Sequence, residues 1–122
     1  MRQRPGRPST FFLTADSASG AVLWQPRADI YHTHDGWLVK LELAGVRPED
    51  ITVWAHESRL TIRGIRRDQL IHEGWSCYAM EISYSRFERC ITLPCDLETA
   101  RIAVTCQDGM LLVQVAAEGT YR

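Results

Sequence analysis

From residue 27 onward the chain alternates apolar and polar side chains in short runs. Successive side chains on a strand point to opposite faces, so every second residue shares a surface. WLVKLELA puts Trp37, Val39, Leu41 and Leu43 on one face, and ITVWAH does the same for Ile51, Val53 and Ala55. RLTIRG pairs Leu60 with Ile62, ARIAVTC aligns Ile102, Val104 and Cys106, and MLLVQV aligns Leu111, Val113 and Val115. In SYSRFERCITLP, Phe87, Ile91 and Leu93 share one face, with Glu88, Cys90 and Thr92 on the other. Turn formers separate the runs: Asp35-Gly36, Gly45 to Pro48, Glu57-Ser58, Pro94 to Asp96 and Asp108-Gly109. Short period-2 runs punctuated this way predict an all-β antiparallel sandwich. No stretch sustains a 3.6 period; only DLETAR, residues 96–101, has room for a helical turn.

Two stretches break the pattern. Residues 1–25 carry Pro5, Gly6, Pro8, Gly20 and several Ser and Thr, and predict a flexible arm whose one apolar cluster is Phe11, Phe12 and Leu13. The span IRRDQLIHEGWSC, Ile65 to Cys77, is about as long as structureless loops usually become. It nevertheless contains Leu70, Ile71 and Trp75, which a solvated loop would not ordinarily expose. We expect it to be partly extended and buried against something. The domain organisation that follows is an arm over 1–25, a folded domain over 26–116 and a short tail over 117–122.

Composition narrows the function. The 122 residues are 45% apolar and 24% charged, ordinary for one soluble domain with a real core. A net charge of −1 supplies no general attraction for nucleic acid or acidic membranes. No stretch approaches the roughly 18 apolar residues of a membrane helix. FFL near the start is shorter than the about 7–15 apolar residues of a signal sequence. Cys77, Cys90, Cys95 and Cys106 form no C-x-x-C pair, so free thiols in a reducing cytoplasm are expected. His32 and His34 with Asp35 fall short of the three or four ligands zinc wants, and read as polar hairpin residues, as do His72 and Glu73. No P-loop, G-x-G-x-x-G or G-x-S-x-G is present. We expect neither an enzyme nor a cofactor.

Arg89 is the residue that interrupts the apolar face of its strand. A lone buried guanidinium costs several kcal/mol, so it calls for a carboxylate, and a planar fork can hold one through two bonds. Glu81, Asp29 and an acid on a second chain are the candidates; the alternative is that Arg89 snorkels to water at a sheet edge.

Taken in order, these segments resemble the α-crystallin domain of small heat-shock proteins, over about Trp24 to Val115. Trp24-Gln25-Pro26 with Ala28-Asp29-Ile30 resembles the domain's opening. LELAGVRPEDITV is similar to its leucine-proline-glycine-valine turn, with Ala44 in place of the proline. RLTIRGIRR, EISYSRFERCITLP and CQDGMLLVQV are similar to the later strands, Gly109 and Leu111 matching a Gly-x-Leu motif. The resemblance implies an immunoglobulin-like antiparallel β-sandwich whose long inter-strand loop carries a strand swapped between the subunits of a dimer.

On that basis Arg89, Glu81, Leu70, Ile71 and Trp75 belong to the dimer interface, with QLIHEGW at 69–75 as the crossing segment. The alternative is a loop folded back on its own sandwich. A groove between the strands at 50–55 and 86–93 would involve Ile51, Val53, Trp54, Cys90 and Thr92, and Phe11, Phe12 and Leu13 would contact clients. The implied function is an ATP-independent holdase that binds partly unfolded proteins. The alternative is a co-chaperone or docking module on the same sandwich. Expected partners are non-native clients, a second copy of the chain and a further small heat-shock protein, without nucleic acid or membrane. After Val115 the residues AAEGTYR hold no Ile-x-Ile pair, which predicts a dimer or small assembly with its groove empty or filled by the arm.

Overall fold

The computed structural model describes residues 23–117. Within that range the strands are β1 (Ala28–His32), β2 (Gly36–Glu42), β3 (Ile51–His56), β4 (Arg59–Ile65), β5 (Arg86–Thr92), β6 (Arg101–Gln107) and β7 (Met110–Ala116). They make a four-stranded sheet in the order β1-β2-β7-β6 and a three-stranded sheet in the order β3-β4-β5. Every neighbouring pair is antiparallel. No helix of the described residues is long and apolar enough to cross a membrane.

The alternating faces become the core. From the larger sheet, Val39 and Leu41 of β2 stand opposite Val113 and Leu111 of β7, with Val115 alongside. From the smaller sheet come Leu60 and Ile62 of β4, with Phe87 and Ile91 of β5. Leu43, Leu93 and Leu97 close the ends, and all of these side chains form one cluster. Each such side chain removed from water contributes roughly 1.5–3 kcal/mol, which is what holds the two layers face to face. Trp37, Ile51, Val53, Ala55 and Ile102 are half-buried and pack against this cluster.

Local chemistry sets the corners. Asp108 and Gly109 both adopt positive φ, 53° and 78°, the geometry that joins β6 to β7 by a tight hairpin. Residues 96–101, the stretch with room for a helical turn, form a turn closed by the Ala100 N–H on the Leu97 carbonyl at 3.4 Å, and no helix. Asp96 instead accepts the Glu98 N–H on its side chain and the Thr99 hydroxyl on its carbonyl, local bonds that compete with helix. A single 3-10 turn appears at Pro48–Asp50, where proline pre-sets the first helical φ.

The lead-in to β1 is fastened to β5. Trp24 bridges Phe87 in parallel, its N–H donates to the Arg86 carbonyl at 3.0 Å, and Arg89 Nη1 donates to the Pro26 carbonyl at 2.8 Å. β5 therefore lies on the β1 side of the sandwich, which leaves the end strands β3 and β6 together at the other side.

Gly64 sits in register between Ile51 and Phe87. A Cβ there would run into the Asp50 carbonyl oxygen and the Phe87 ring. Gly64→Ala should lower stability by about 1–3 kcal/mol in urea unfolding, the usual penalty for overpacking.

Candidate functional site

Three open surfaces of the sandwich are candidates for binding, and the first is the long loop between β4 and β5. Leu70 is 77% exposed and Trp75 64%, and Tyr78, Met80 and Ile82 are bare as well. The strand expected at 69–75 is not formed in the single chain. The backbone there turns on itself, with the Leu70 N–H bonded to Asp68 Oδ1 and the Trp75 N–H to the His72 carbonyl. A strand needs a second backbone to bond, and among the described residues no strand pairs with this segment. Of the three apolar residues expected to be buried in this loop, Ile71 is half-buried while Leu70 and Trp75 are exposed.

The loop's origin is rigid by contrast. Arg67 holds Asp50 through two bonds, Nε to Oδ2 at 3.0 Å and Nη2 to Oδ1 at 3.1 Å, with both side chains mostly buried. Arg47 adds a second cation, Nε to Asp50 Oδ2 at 3.6 Å. The Arg67 hydrogen bonds, and then the charges of Arg67 and Arg47, hold the Asp50 carboxyl below its ordinary value of 3.8, while burial pulls the other way.

The second surface is the β1 edge. Among the described residues no strand pairs with its outer side, and Ile30 and Tyr31 are both exposed. The third lies between β3 and β6. Ile102, Val104 and Cys106 stand opposite the buried Val115, Val113 and Leu111 of β7 and therefore face the core side. Val104 is nonetheless 43% exposed and Cys106 is exposed, because β6 extends beyond the cover of the three-stranded sheet. Ile51, Val53 and Ala55 of β3 offer a half-buried row at the same side.

The sequence model of the Hsp20/alpha crystallin family matches residues 29–121. The chain belongs to that family. It is 32% identical over 109 residues to a 17.3 kDa class II heat shock protein of Solanum peruvianum, covering 88% of this chain and 68% of that one. It is 28% identical over 90 residues to small heat shock protein C2 of Rickettsia felis, covering 74% of this chain and 58% of that protein's length. Among solved structures, heat shock protein 16.0 from Schizosaccharomyces pombe superposes with a TM-score of 0.72 at 26% identity, over 81% of this chain and 92% of that one. A small heat-shock protein from Xylella fastidiosa superposes at 0.67 with 24% identity, over 83% and 93%, and shares the fold.

Within this small heat-shock protein the groove expected between the strands at 50–55 and 86–93 does not exist. β4 lies between β3 and β5, so the two strands flank it in one sheet. Trp54, Thr61 and Cys90 form one cross-strand row on the outer face, and Thr92 pairs with Arg59 in another. Trp54 is 40% exposed, with the Arg63 guanidinium 4.9 Å from its ring centroid. Ile51 and Val53 face the opposite side, toward the core. Alternation separated the faces, but it carries no strand order, and strand order is what puts β3 beside β6.

Cys106, read from its register as a core residue, is exposed for the same reason. Burial, reinforced by the charge of Asp96, raises the Cys95 thiol pKa above its ordinary value. Arg89 faces inward as expected and is half-buried, but within the described residues it meets the Pro26 carbonyl rather than Glu81 or Asp29, both of which are exposed. A carbonyl satisfies part of the guanidinium without bringing a second ion out of water. Phe11, Phe12 and Leu13 lie outside the described residues.

Because the Asp50 carboxyl is held low, its bond to Arg67 stabilises the fold above the ordinary aspartate value and is lost as pH falls through the depressed one. Asp50→Asn should therefore be less stable than the parent at pH 7. The difference should vanish once the solution is acid enough to protonate Asp50. Urea unfolding of both proteins along a descending pH series measures it.

Proposed function

We propose that the chain acts as an ATP-independent holdase, capturing partly unfolded proteins on apolar surface and keeping them from aggregating. The observation that carries this reading is the run of bare Leu70, Trp75, Tyr78, Met80 and Ile82 on a member of the small heat-shock family. Unfolding chains expose apolar patches and unpaired strands, and binding them needs no chemical step. The open side between β3 and β6 suits an extended apolar segment, which could add backbone bonds to β6 and fill the space beside Val104. We assign Ile51 and Val53 to that surface, with Ile102, Val104 and Cys106. Trp54, Cys90 and Thr92 form a separate outer patch. The arm residues Phe11, Phe12 and Leu13 remain client contacts in this proposal.

The same loop supports self-association. Among the described residues no strand pairs with residues 69–75, and no strand lies beside the outer edge of β1, which carries the exposed Ile30 and Tyr31. Reciprocal exchange of the segment onto the β1 edge of a second copy would bury Leu70 and Trp75 and bring new acids within reach of Arg89. The dimer is the proposed unit. Four free cysteines fit a reducing compartment, and the cytoplasm is the proposed location.

A heat-labile client warmed without ATP should stay in solution at near-stoichiometric amounts of this protein, as followed by light scattering. No suppression, with tight binding to one folded partner, would favour the docking-module reading instead. In sedimentation equilibrium, Leu70→Glu combined with Trp75→Glu should reduce a dimeric parent to monomers while leaving its β-sheet spectrum intact.

A further inference from the structure

Arg66, the first residue beyond β4, touches several separate parts of the chain. Its backbone N–H donates to the Ser85 carbonyl at 3.0 Å. Its side chain donates from Nε to the Ser83 carbonyl at 2.9 Å and from Nη1 to the Ala44 carbonyl at 3.1 Å. The guanidinium carbon stands 3.8 Å from the ring centroid of Trp24. Trp24 in turn meets Phe87 edge-on, centroids 5.4 Å apart, and donates its N–H to the Arg86 carbonyl. A cleft of about 260 Å3 lies alongside, lined by Trp24, Gln25, Arg27, Glu42, Ala44 and Arg66.

Arg66 and Ser83 are seventeen positions apart in sequence and mark the two feet of the long loop. One side chain thus joins both feet to each other, to the turn after β2 and to the segment that leads into β1. We propose that Arg66 couples the lead-in segment 24–27 to the two feet of the long loop, so that freeing either one loosens the other.

The chemistry is specific to arginine. A planar guanidinium can stack on an indole and still direct two N–H groups outward in its own plane to separate carbonyls. A lysine ammonium has the charge but no plane, and it cannot serve the stack and both carbonyls in this geometry. Desolvation lowers the Arg66 pKa, opposed by Tyr84 and Glu42, as expected for a cation held partly out of water. Coupling of this kind is reciprocal: whatever Trp24 contributes to the order of the loop feet, the loop feet contribute to Trp24. Joined feet also fix the direction in which the loop leaves the sandwich. That matters for the exchange of residues 69–75, and this part of the inference rests on the dimer reading above.

Amide hydrogen exchange on the full chain tests the coupling. Arg66→Lys should speed exchange of the Trp24 amide about tenfold, and Trp24→Ala should speed the Arg66 amide by a similar factor. The double variant should exceed neither single one. Core amides of Leu60 and Val113 should keep their protection in every variant. Should the alanine variant fail to fold, Trp24→Leu keeps bulk against Phe87 while removing the ring face. An unchanged Trp24 amide in Arg66→Lys, or effects that multiply in the double variant, overturns the proposal. Sedimentation of the same samples reads self-association separately: a chain that is monomeric throughout sinks the dimer reading, while the exchange data still decide the coupling.

Discussion

Four strands packed on three leave one layer wider than the other. This mismatch governs the surface of the molecule. The core needs Val39, Leu41, Val113 and Leu111 from the middle of the larger sheet and Leu60, Ile62, Phe87 and Ile91 from the smaller one. Once these are covered, the last strand of the larger sheet is roofed only in part: Ile102 is half-buried against the cluster. Val104 and Cys106 lie on the core side of β6 and are still wet. At the other end of the same sheet, β1 carries Ile30 and Tyr31 into solvent. The open apolar surface follows from the way the fold closes its core and is no flaw in its packing. A protein that works by contact with non-native chains can use such surface directly.

The lead-in before β1 and the feet of the long loop are where side chains take over from sheet bonding. Arg89 holds Pro26, Arg66 holds Ser83, Ala44 and Trp24, and Arg67 holds Asp50. Three guanidinium groups thereby fasten the irregular segments to the sandwich, two of them largely through main-chain carbonyls. Carbonyls carry no net charge, so the cations are satisfied without burying a matching anion each time. Of these three guanidinium groups only Arg67 meets a carboxylate among the described residues, that of Asp50, whose pKa is lowered by that contact. Between Gln69 and Ser83 no comparable side-chain fastening to the sandwich is present among the described residues, and Leu70, Trp75, Tyr78, Met80 and Ile82 are exposed there.

Much of this was legible in the sequence. Period-2 alternation located the strands and chose their buried faces correctly for Val39, Leu41, Leu60, Ile62, Phe87, Ile91, Leu111, Val113 and Val115. Those residues have a strong apolar signal and sit in the middle of the layers, where register alone decides burial. Cys106 had the same signal and a different fate, because exposure at a sheet end depends on what lies across from it. The groove assignment failed for a related reason: alternation is a property of one strand, whereas neighbour order is a property of the whole topology. Trp24, Arg66 and Ala44 were quoted for the motifs that contain them, yet their contact joins residues far apart in sequence. No spacing rule could have brought them together. Arg89 was recognisable as out of place on an apolar face, but its carbonyl partner belongs to a proline sixty-three positions away.

Among the described residues, each copy of the chain carries one loop segment that joins no sheet and one β1 edge with no strand beside it, and this equality has a geometric consequence. With one donor and one acceptor per molecule, exchange around a two-fold axis satisfies both at once and stops at two copies. The same pair of elements passed on in one direction only would never close and would string copies into a filament. In the proposed dimer, the Arg66 bonds that join the loop's two feet would limit the angle at which the loop leaves, and that angle would decide between the two arrangements.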